Sequence, residues 1–311
     1  MKLSIVAPAF NEEEVLPFFI DRTHKACKNL EEKNIINEFE IILVDDGSKD
    51  GTWNIINSNN KLFKEVKGLK FSRNFGHHIA LTAGIDYADG DYIVIMDSDL
   101  QDEPEVIESL INKCNEGYDI VQVYRKSRIE SFFKKTASKY FYKLFNKISD
   151  YKVSENVGVF RLFTKNVRDN VIKLREQKRL IIALIEWTGF KTANVHVDRP
   201  ERMAGKTKYS LTLMLLLAIN GILSFSTFPL KLSIYIGTAF AAISLGLAVY
   251  YAFLKIFIGE VYLLGWPSLI ISILLIGGLQ LIALGIIGLY VGKIFEEVKS
   301  RPLYIVEITL I

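Results

Sequence analysis

The chain has 311 residues, 50% of them hydrophobic and 23% charged, with a mean hydropathy of +0.22. That length suffices for two domains, or for one domain plus membrane segments, and so apolar a composition excludes a disordered chain. The net charge of +3, from 38 basic and 35 acidic side chains, is too balanced to argue for a nucleic-acid partner, and two cysteines, Cys27 and Cys114, are too few for a disulfide framework.

A first apolar run, Leu3–Ala9, predicts a strand. It stops at Asn11-Glu12-Glu13-Glu14, so no signal peptide is expected. A helical-period segment follows at Glu13–Glu32, then a strand at Glu40–Val44 and a helix at Thr52–Asn60. The pattern continues with strand Leu69–Phe71, helix His77–Tyr87, strand Tyr92–Met96, helix Glu105–Asn115 and strand Ile120–Val123. Such alternation predicts the α/β class, a mostly parallel sheet with helices on both faces. Cys27 and Cys114 fall in helical segments and are expected to be reduced, cytosolic core thiols.

Beyond residue 130 the text changes character. Residues 131–149 predict an amphipathic helix, with Phe133, Ala137, Phe141, Leu144 and Ile148 on one stripe and Lys135, Lys139, Lys143 and Lys147 on another. A basic face backed by aromatics suits an anionic membrane surface. Arg199, Arg202, Lys206 and Lys208, with Gly205 among them, predict a mobile basic loop at the lipid boundary. Three runs without Asp, Glu, Lys or Arg follow, at 209–230, 232–254 and 261–292. A helix over the second run reaches about 35 Å, enough to cross a hydrocarbon core of about 30 Å. Two spans are expected, near 232–255 and 267–292. The first run contains Asn220, Ser224, Ser226, Thr227 and Pro229 and reads as an interfacial helix, the alternative being a third span. Lys206, Lys208 and Lys231 precede the pair and Lys293, Lys299 and Arg301 follow it, which predicts that both chain ends are cytoplasmic. The expected organisation is therefore a cytoplasmic catalytic domain at 1–205, an interfacial helix at 206–230, a transmembrane hairpin at 231–293 and a cytoplasmic tail at 294–311. The protein is expected to be a multi-pass protein of the cell inner (plasma) membrane, and its Gly-rich spans would allow a homo-oligomer.

The chemistry-bearing residues cluster after the predicted strands, where parallel sheets bind ligands. The first strand ends in Pro8-Ala9-Phe10-Asn11-Glu12, the second in Asp45-Asp46-Gly47-Ser48, and the fourth in Asp97-Ser98-Asp99-Leu100-Gln101-Asp102. Carboxylates gathered in one crevice repel unless a cation or ligand donors compensate them. Hard oxygen ligands such as Asp97 and Asp99 suit Mg²⁺ or Mn²⁺ carried with a diphosphate. Asp50 and Asp102 read as turn or capping residues, and His77 and His78 as helix-start or substrate-pocket groups.

These residues resemble a family 2 glycosyltransferase with the GT-A (Rossmann-like) fold. The likeness is to the polyprenyl-phosphate branch, which includes dolichyl-phosphate mannose synthase and the bactoprenol glucosyltransferases. It is carried by Val6 to Glu12, Val44 to Ser48, Phe71 to His77, Asp97 to Asp102, Arg199-Pro200 to Lys208-Tyr209, and Glu297 to Tyr304. The resemblance implies that Pro8, Phe10, Glu12, Asp45 and Asp46 line a nucleotide site. It implies that Asp97, Asp99 and Gln101 hold Mg²⁺ or Mn²⁺ and the donor diphosphate, with Asp97 and Asp99 as the catalytic pair. Arg125, Arg128, Lys135, Arg202 and Lys206 would meet the acceptor phosphate. The implied reaction is inverting transfer of a hexose from a UDP- or GDP-linked sugar to undecaprenyl or dolichyl phosphate at the cytoplasmic membrane face. Glucose from UDP-glucose is the expected donor; mannose or an amino sugar, or a non-catalytic scaffold retaining the fold, are the alternatives. One position departs from the family, which often carries Gly-Asp-Phe-Arg-Leu with its Asp considered as a base. Here Gly158-Val159-Phe160-Arg161-Leu162 places a valine there.

Overall fold

In the computed structural model, which describes residues 1–125, 157–177, 179–197, 228–257 and 265–311, the alternating pattern becomes one eight-stranded mixed sheet. Its first half runs β1 (Lys2–Ala9), α1 (Leu16–Glu32), β2 (Glu38–Asp45), α2 (Thr52–Leu62), β3 (Val66–Phe71), α3 (His77–Tyr87) and β4 (Tyr92–Ile95). A 3₁₀ turn at Pro104–Val106 leads into α4 (Ile107–Asn115) and then β5 (Ile120–Arg125). The second half adds β6 (Val157–Thr164), α5 (Lys165–Val171), α6 (Ile181–Trp187), β7 (Thr192–Val197), two long helices α7 (Phe228–Phe257) and α8 (Trp266–Val298), and β8 (Val306–Leu310).

The strand order is β7-β5-β6-β4-β1-β2-β3-β8. Strands β1 to β4 pair in parallel, β6 runs antiparallel to both β4 and β5, and β8 runs antiparallel to β3. This is the GT-A-like mixed α/β arrangement.

Each central strand is buried on both faces, which is why its sequence reads as a continuous apolar run rather than an alternation. Leu3, Ile5 and Ala7 of β1 face one core with Ile41 and Leu43 of β2. On that side α1 supplies Leu16, Phe19, Ile20, Cys27 and Leu30, and α4 supplies Ile107, Leu110, Ile111 and Cys114. Val6, Ile42, Val44, Ile93 and Ile95 face the other way, onto Ala80, Leu81, Ala83 and Ile85 of α3 and onto α5 and α6. The spacing of the helix residues is that of one apolar helical face, and each large side chain so buried contributes about 1.5–3 kcal/mol. Both cysteines are free and buried, and burial pushes both thiols up from their ordinary value.

At the amino edge of the sheet a buried carboxylate is fully engaged. Glu40 accepts from Ser4 Oγ and from the Asp89 N–H at 2.9 Å, and pairs with Lys67 at 2.8 Å and Lys2 at 3.6 Å. A second buried charge, Arg161 of β6, is completely enclosed. It donates to the carbonyls of Gly158 at 3.0 Å and Val159 at 3.4 Å and pairs with Glu186 of α6 at 3.4 Å.

The described residues fall into two compact units, one of residues 1–125, 157–197 and 301–311, the other of residues 228–300. In the second unit α7 and α8 contact one another, and each is long and apolar enough to cross a membrane. Their large apolar side chains, among them Leu245, Ile256, Leu281 and Leu284, are exposed. Residues 301–311 belong to the first unit, and Val306–Leu310 of them join the sheet as β8. Within the segment expected as the cytoplasmic tail, 294–311, the first residues extend α8 and Val306–Leu310 form β8. The expected helices at 131–149 and 206–230 lie outside the described residues.

Candidate active site

Strands β1, β2, β3 and β4 deliver their carboxyl ends, Ala9, Asp45, Phe71 and Ile95, to one edge of the sheet. β1 has β2 on one side and β4 on the other, so successive connections depart from it in opposite directions and leave a crevice between them. A cleft of about 390 Å³ opens there, within the range that takes small ligands and cofactors. Pro8, Ala9, Phe10 and Glu12 line it from β1, and Asp46 lines it from β2. Asn74, Gly76 and His77 come from the β3–α3 connection, and Asp97, Ser98 and Asp99 follow β4.

These loops are tied to one another by polar contacts that the strand-end residues themselves supply. The Asn11 N–H donates to Ser48 Oγ and the Lys49 N–H to Asn11 Oδ1, both at 2.9 Å. Ser98 Oγ donates to the Pro8 carbonyl at 2.8 Å, and the Asp97 N–H donates to Asp102 Oδ2 at 3.2 Å. Asp50 accepts from the Thr52 N–H and hydroxyl and from the Glu13 N–H, a turn role. Asp46 is the central clasp. Its Oδ1 accepts the Phe75 N–H at 2.7 Å and its Oδ2 the Gly76 N–H at 2.9 Å, fixing the loop that carries His77. Gly47 makes this approach feasible. It adopts φ +71°, and a Cβ on it would collide with the backbone of Arg73 and Asn74.

The cleft is acidic: Glu12, Asp46, Asp97 and Asp99 line it, and among the described residues no Lys or Arg does. Burial raises the Glu12 carboxyl above its ordinary value, and the charges of Asp99 and Asp50 raise it further. Burial likewise raises Asp46, against the pull of its two N–H donors. His77 Nε2 lies 3.4 Å from Asp97 Oδ1. Burial lowers the His77 imidazole despite the nearby Asp46 and Asp99 charges, and burial and then His77 lower His78 to about 4. Carboxylates held this close in a partly dry cleft are a donor set of hard oxygens that fits a divalent cation. Among the described residues no group of three or more His, Cys, Asp or Glu is placed to hold a metal ion by itself. Two carboxylates completed by ligand phosphates are the usual way Mg²⁺ is held.

Seven residues singled out in the sequence meet in this cleft: Pro8, Phe10, Glu12, Asp46, His77, Asp97 and Asp99. Two others stand behind it. Asp45 is fully buried and accepts the Ser48 N–H at 2.9 Å, shaping the turn rather than facing the cleft. Gln101 is exposed and off the lining, and its N–H donates to Asp99 Oδ1 at 3.0 Å. Arg125 ends β5 at the same edge of the sheet. Arg128, Lys135, Arg202 and Lys206 lie outside the described residues. Asn74 and Ser98 were not anticipated as lining residues, although both stand inside motifs already notable in the sequence. Val159 is half-buried and packs against the apolar core on the α3 side of the sheet. Its apolar side chain is thereby accommodated.

The sequence profile of Glycosyl transferase family 2 matches residues 4–172. The chain is 42% identical over 308 residues to the uncharacterized glycosyltransferase YkcC of Bacillus subtilis (strain 168), covering 99% of this chain and 94% of that one. It is also 42% identical over 308 residues to the prophage bactoprenol glucosyl transferase homolog of Escherichia coli (strain K12), covering 99% of each. The SfII prophage-derived bactoprenol glucosyl transferase of Shigella flexneri is again 42% identical over 308 residues, with 99% and 98% covered.

Proposed function

This chain belongs to glycosyl transferase family 2 and is a glycosyltransferase, and we propose that it transfers a hexose from a nucleotide sugar to a polyprenyl phosphate at the cytoplasmic face of the plasma membrane. The observation that carries this reading is the acidic cleft at the carboxyl edge of the sheet, with Glu12, Asp46, Asp97 and Asp99 on its walls. Asp97 and Asp99 are the residues that would hold Mg²⁺ or Mn²⁺. When bound, the ion neutralises charge on the departing nucleoside diphosphate. Pro8, Phe10 and Asp46 would enclose the nucleoside, with UDP-glucose the favoured donor. Relatives named for bactoprenol glucosyl transfer support both the sugar and the lipid acceptor.

The reaction is an in-line displacement. An oxygen of the lipid phosphate forms a bond to the anomeric carbon as the bond from that carbon to the diphosphate breaks, with inversion. A phosphate monoester has its second pKa near ~6 and is mostly dianionic at neutral pH, so this nucleophile arrives already deprotonated. Val159 in place of an acidic residue is therefore compatible with transfer. The protein's contribution is orientation of the two substrates and exclusion of water.

Chain connectivity supports the membrane assignment. β5 ends at Arg125, β6 starts at Val157, β7 ends at Val197 and β8 starts at Val306, all on the edge that bears the cleft. The segments carrying Arg128, Lys135, Arg202 and Lys206 therefore leave from the edge where the acceptor must react. Because β7 and β8 share one sheet, the number of membrane crossings between them must be even.

The test incubates purified protein, undecaprenyl phosphate and Mg²⁺ or Mn²⁺ with a panel of UDP- and GDP-sugars, beside Asp99→Ala. A new glycolipid by mass spectrometry, formed by the wild type alone, is the expected result. Conversion of no donor would refute the reading.

A further inference from the structure

Residues 304–306, from the far end of the sequence, pack behind the loop that brings Asn74, Gly76 and His77 to the cleft. Tyr304 lies flat on Phe71, ring centroids 5.3 Å apart and planes 15° from parallel. Phe71, the last residue of β3, in turn meets Phe75 edge-on at 5.5 Å. Phe75 and Gly76 are the residues whose N–H groups Asp46 holds. The Ser72 N–H donates to the Ile305 carbonyl at 3.1 Å, closing the start of the same loop. At the other end of α3 the Tyr304 hydroxyl donates to Asp86 Oδ2 at 2.7 Å, and Arg175 clasps that carboxylate through both oxygens at 2.8 and 3.0 Å.

We propose that the segment leading into the C-terminal strand supports the cleft from behind. Tyr304, stacked on Phe71 and bonded to Asp86, is a positioning residue that holds the 72–77 loop, with Asn74, Gly76 and His77, in its ligand-binding form. The physical reason is that this loop has no regular structure of its own. Its geometry is set by Asp46 on one side and by the Tyr304–Phe71–Phe75 ladder on the other. An offset aromatic stack also acts beyond the area it buries, and it transmits directly because packed rings have few alternative arrangements. Only residues 299–303 separate Tyr304 from the end of α8, so the segment that anchors the protein also delivers the residue that shapes its site.

The consequence for ligand rests on the cleft being the nucleotide-sugar site, but the positioning itself can be read without any ligand. Full-length protein is compared as wild type, Tyr304→Ala, Tyr304→Phe and Asp86→Ala, by amide hydrogen exchange and by binding of UDP and GDP with Mn²⁺. Tyr304→Ala should raise exchange in the 72–77 segment by about tenfold or more, while segments from β1 and α4 keep wild-type protection. Tyr304→Phe, which keeps the stack and loses only the hydroxyl, should recover most of that protection. Asp86→Ala should resemble Tyr304→Phe. Nucleotide affinity should fall in the same order as loop protection. Unchanged exchange at 72–77 in Tyr304→Ala, or a rise spread evenly through the sheet, would overturn the proposal. A wild type that binds neither nucleotide would instead count against the donor reading, with the exchange pattern still deciding this one.

Discussion

Gly47→Ala tests whether the close approach of two loops builds the cleft. Gly47 sits at φ +71°, and the added Cβ would meet the Arg73 carbonyl carbon, the Asn74 nitrogen at 2.6 Å and the Arg73 Cα at 2.9 Å. All three are backbone atoms, so no side-chain rotation relieves the contact. A left-handed backbone costs an alanine about 1–2 kcal/mol, and forcing extra volume into packed structure adds about 1–3 kcal/mol. Gly117 provides the control, because it also has positive φ, +98°, but a Cβ there meets nothing within 4 Å. Gly117→Ala should show only the backbone cost, so the two variants should differ by about 1–3 kcal/mol. At ~2–4 °C per kcal/mol, the Gly47 variant should melt roughly 6 °C below the Gly117 variant. Nucleotide affinity should fall in Gly47→Ala alone. Equal melting temperatures with equal nucleotide binding would show that the contact between the Asp46 turn and the 72–77 loop does not support the site.

Asp97→Ala and Asp99→Ala should each abolish glycolipid formation while leaving the thermal midpoint near wild type, which unchanged turnover on adding metal chelator would contradict. Glu40 has its carboxyl held below the ordinary value: burial pushes it up, but the Asp89 N–H, Lys67 and Ser4 more than offset this. Its stabilising contribution is therefore complete above the ordinary carboxylate range and is lost as pH falls through the lowered folded value. Glu40→Gln should be less stable at neutral pH and should lose less stability on acidification, as read by denaturant titration at several pH values. Val159→Asp should not accelerate transfer, because the phosphate nucleophile needs no base, and should lower the thermal midpoint by placing a carboxylate against the apolar core on the α3 side of the sheet. A rate gain would restore the need for a base. Arg161→Met should cost at most about 3–5 kcal/mol, by leaving the half-buried Glu186 without its ion-pair partner, measured against the double variant with Glu186→Leu.

Much of the catalytic unit was legible because its signals are local. Leu3–Ala9 and Tyr92–Met96 are apolar runs of strand length, and Leu16, Phe19, Ile20, Cys27 and Leu30 repeat with the period of a helix. Residues after such strands must emerge at one edge whatever the details of packing, so Glu12, Asp46, Asp97 and Asp99 were identifiable before any coordinates. The two long apolar helices were equally plain, since length and lack of charge are properties of a segment alone.

What the chain did not announce depends on partners distant in sequence. β6 carries Arg161 in its middle, and a charged residue there reads as a motif position until Glu186 and three carbonyls are brought around it. Asp45 and Asp46 are adjacent and chemically identical, yet strand pleating turns one into the β2 turn and the other toward the cleft, a difference of orientation that only packing decides. β8 is the clearest case. Separated from a long apolar helix by residues 299–305, Val306–Leu310 has no local feature that distinguishes a pendant tail from a sheet edge. Its place follows from the unpaired backbone groups of β3 and from Phe71 and Asp86, which Tyr304 meets only once the whole sheet has formed.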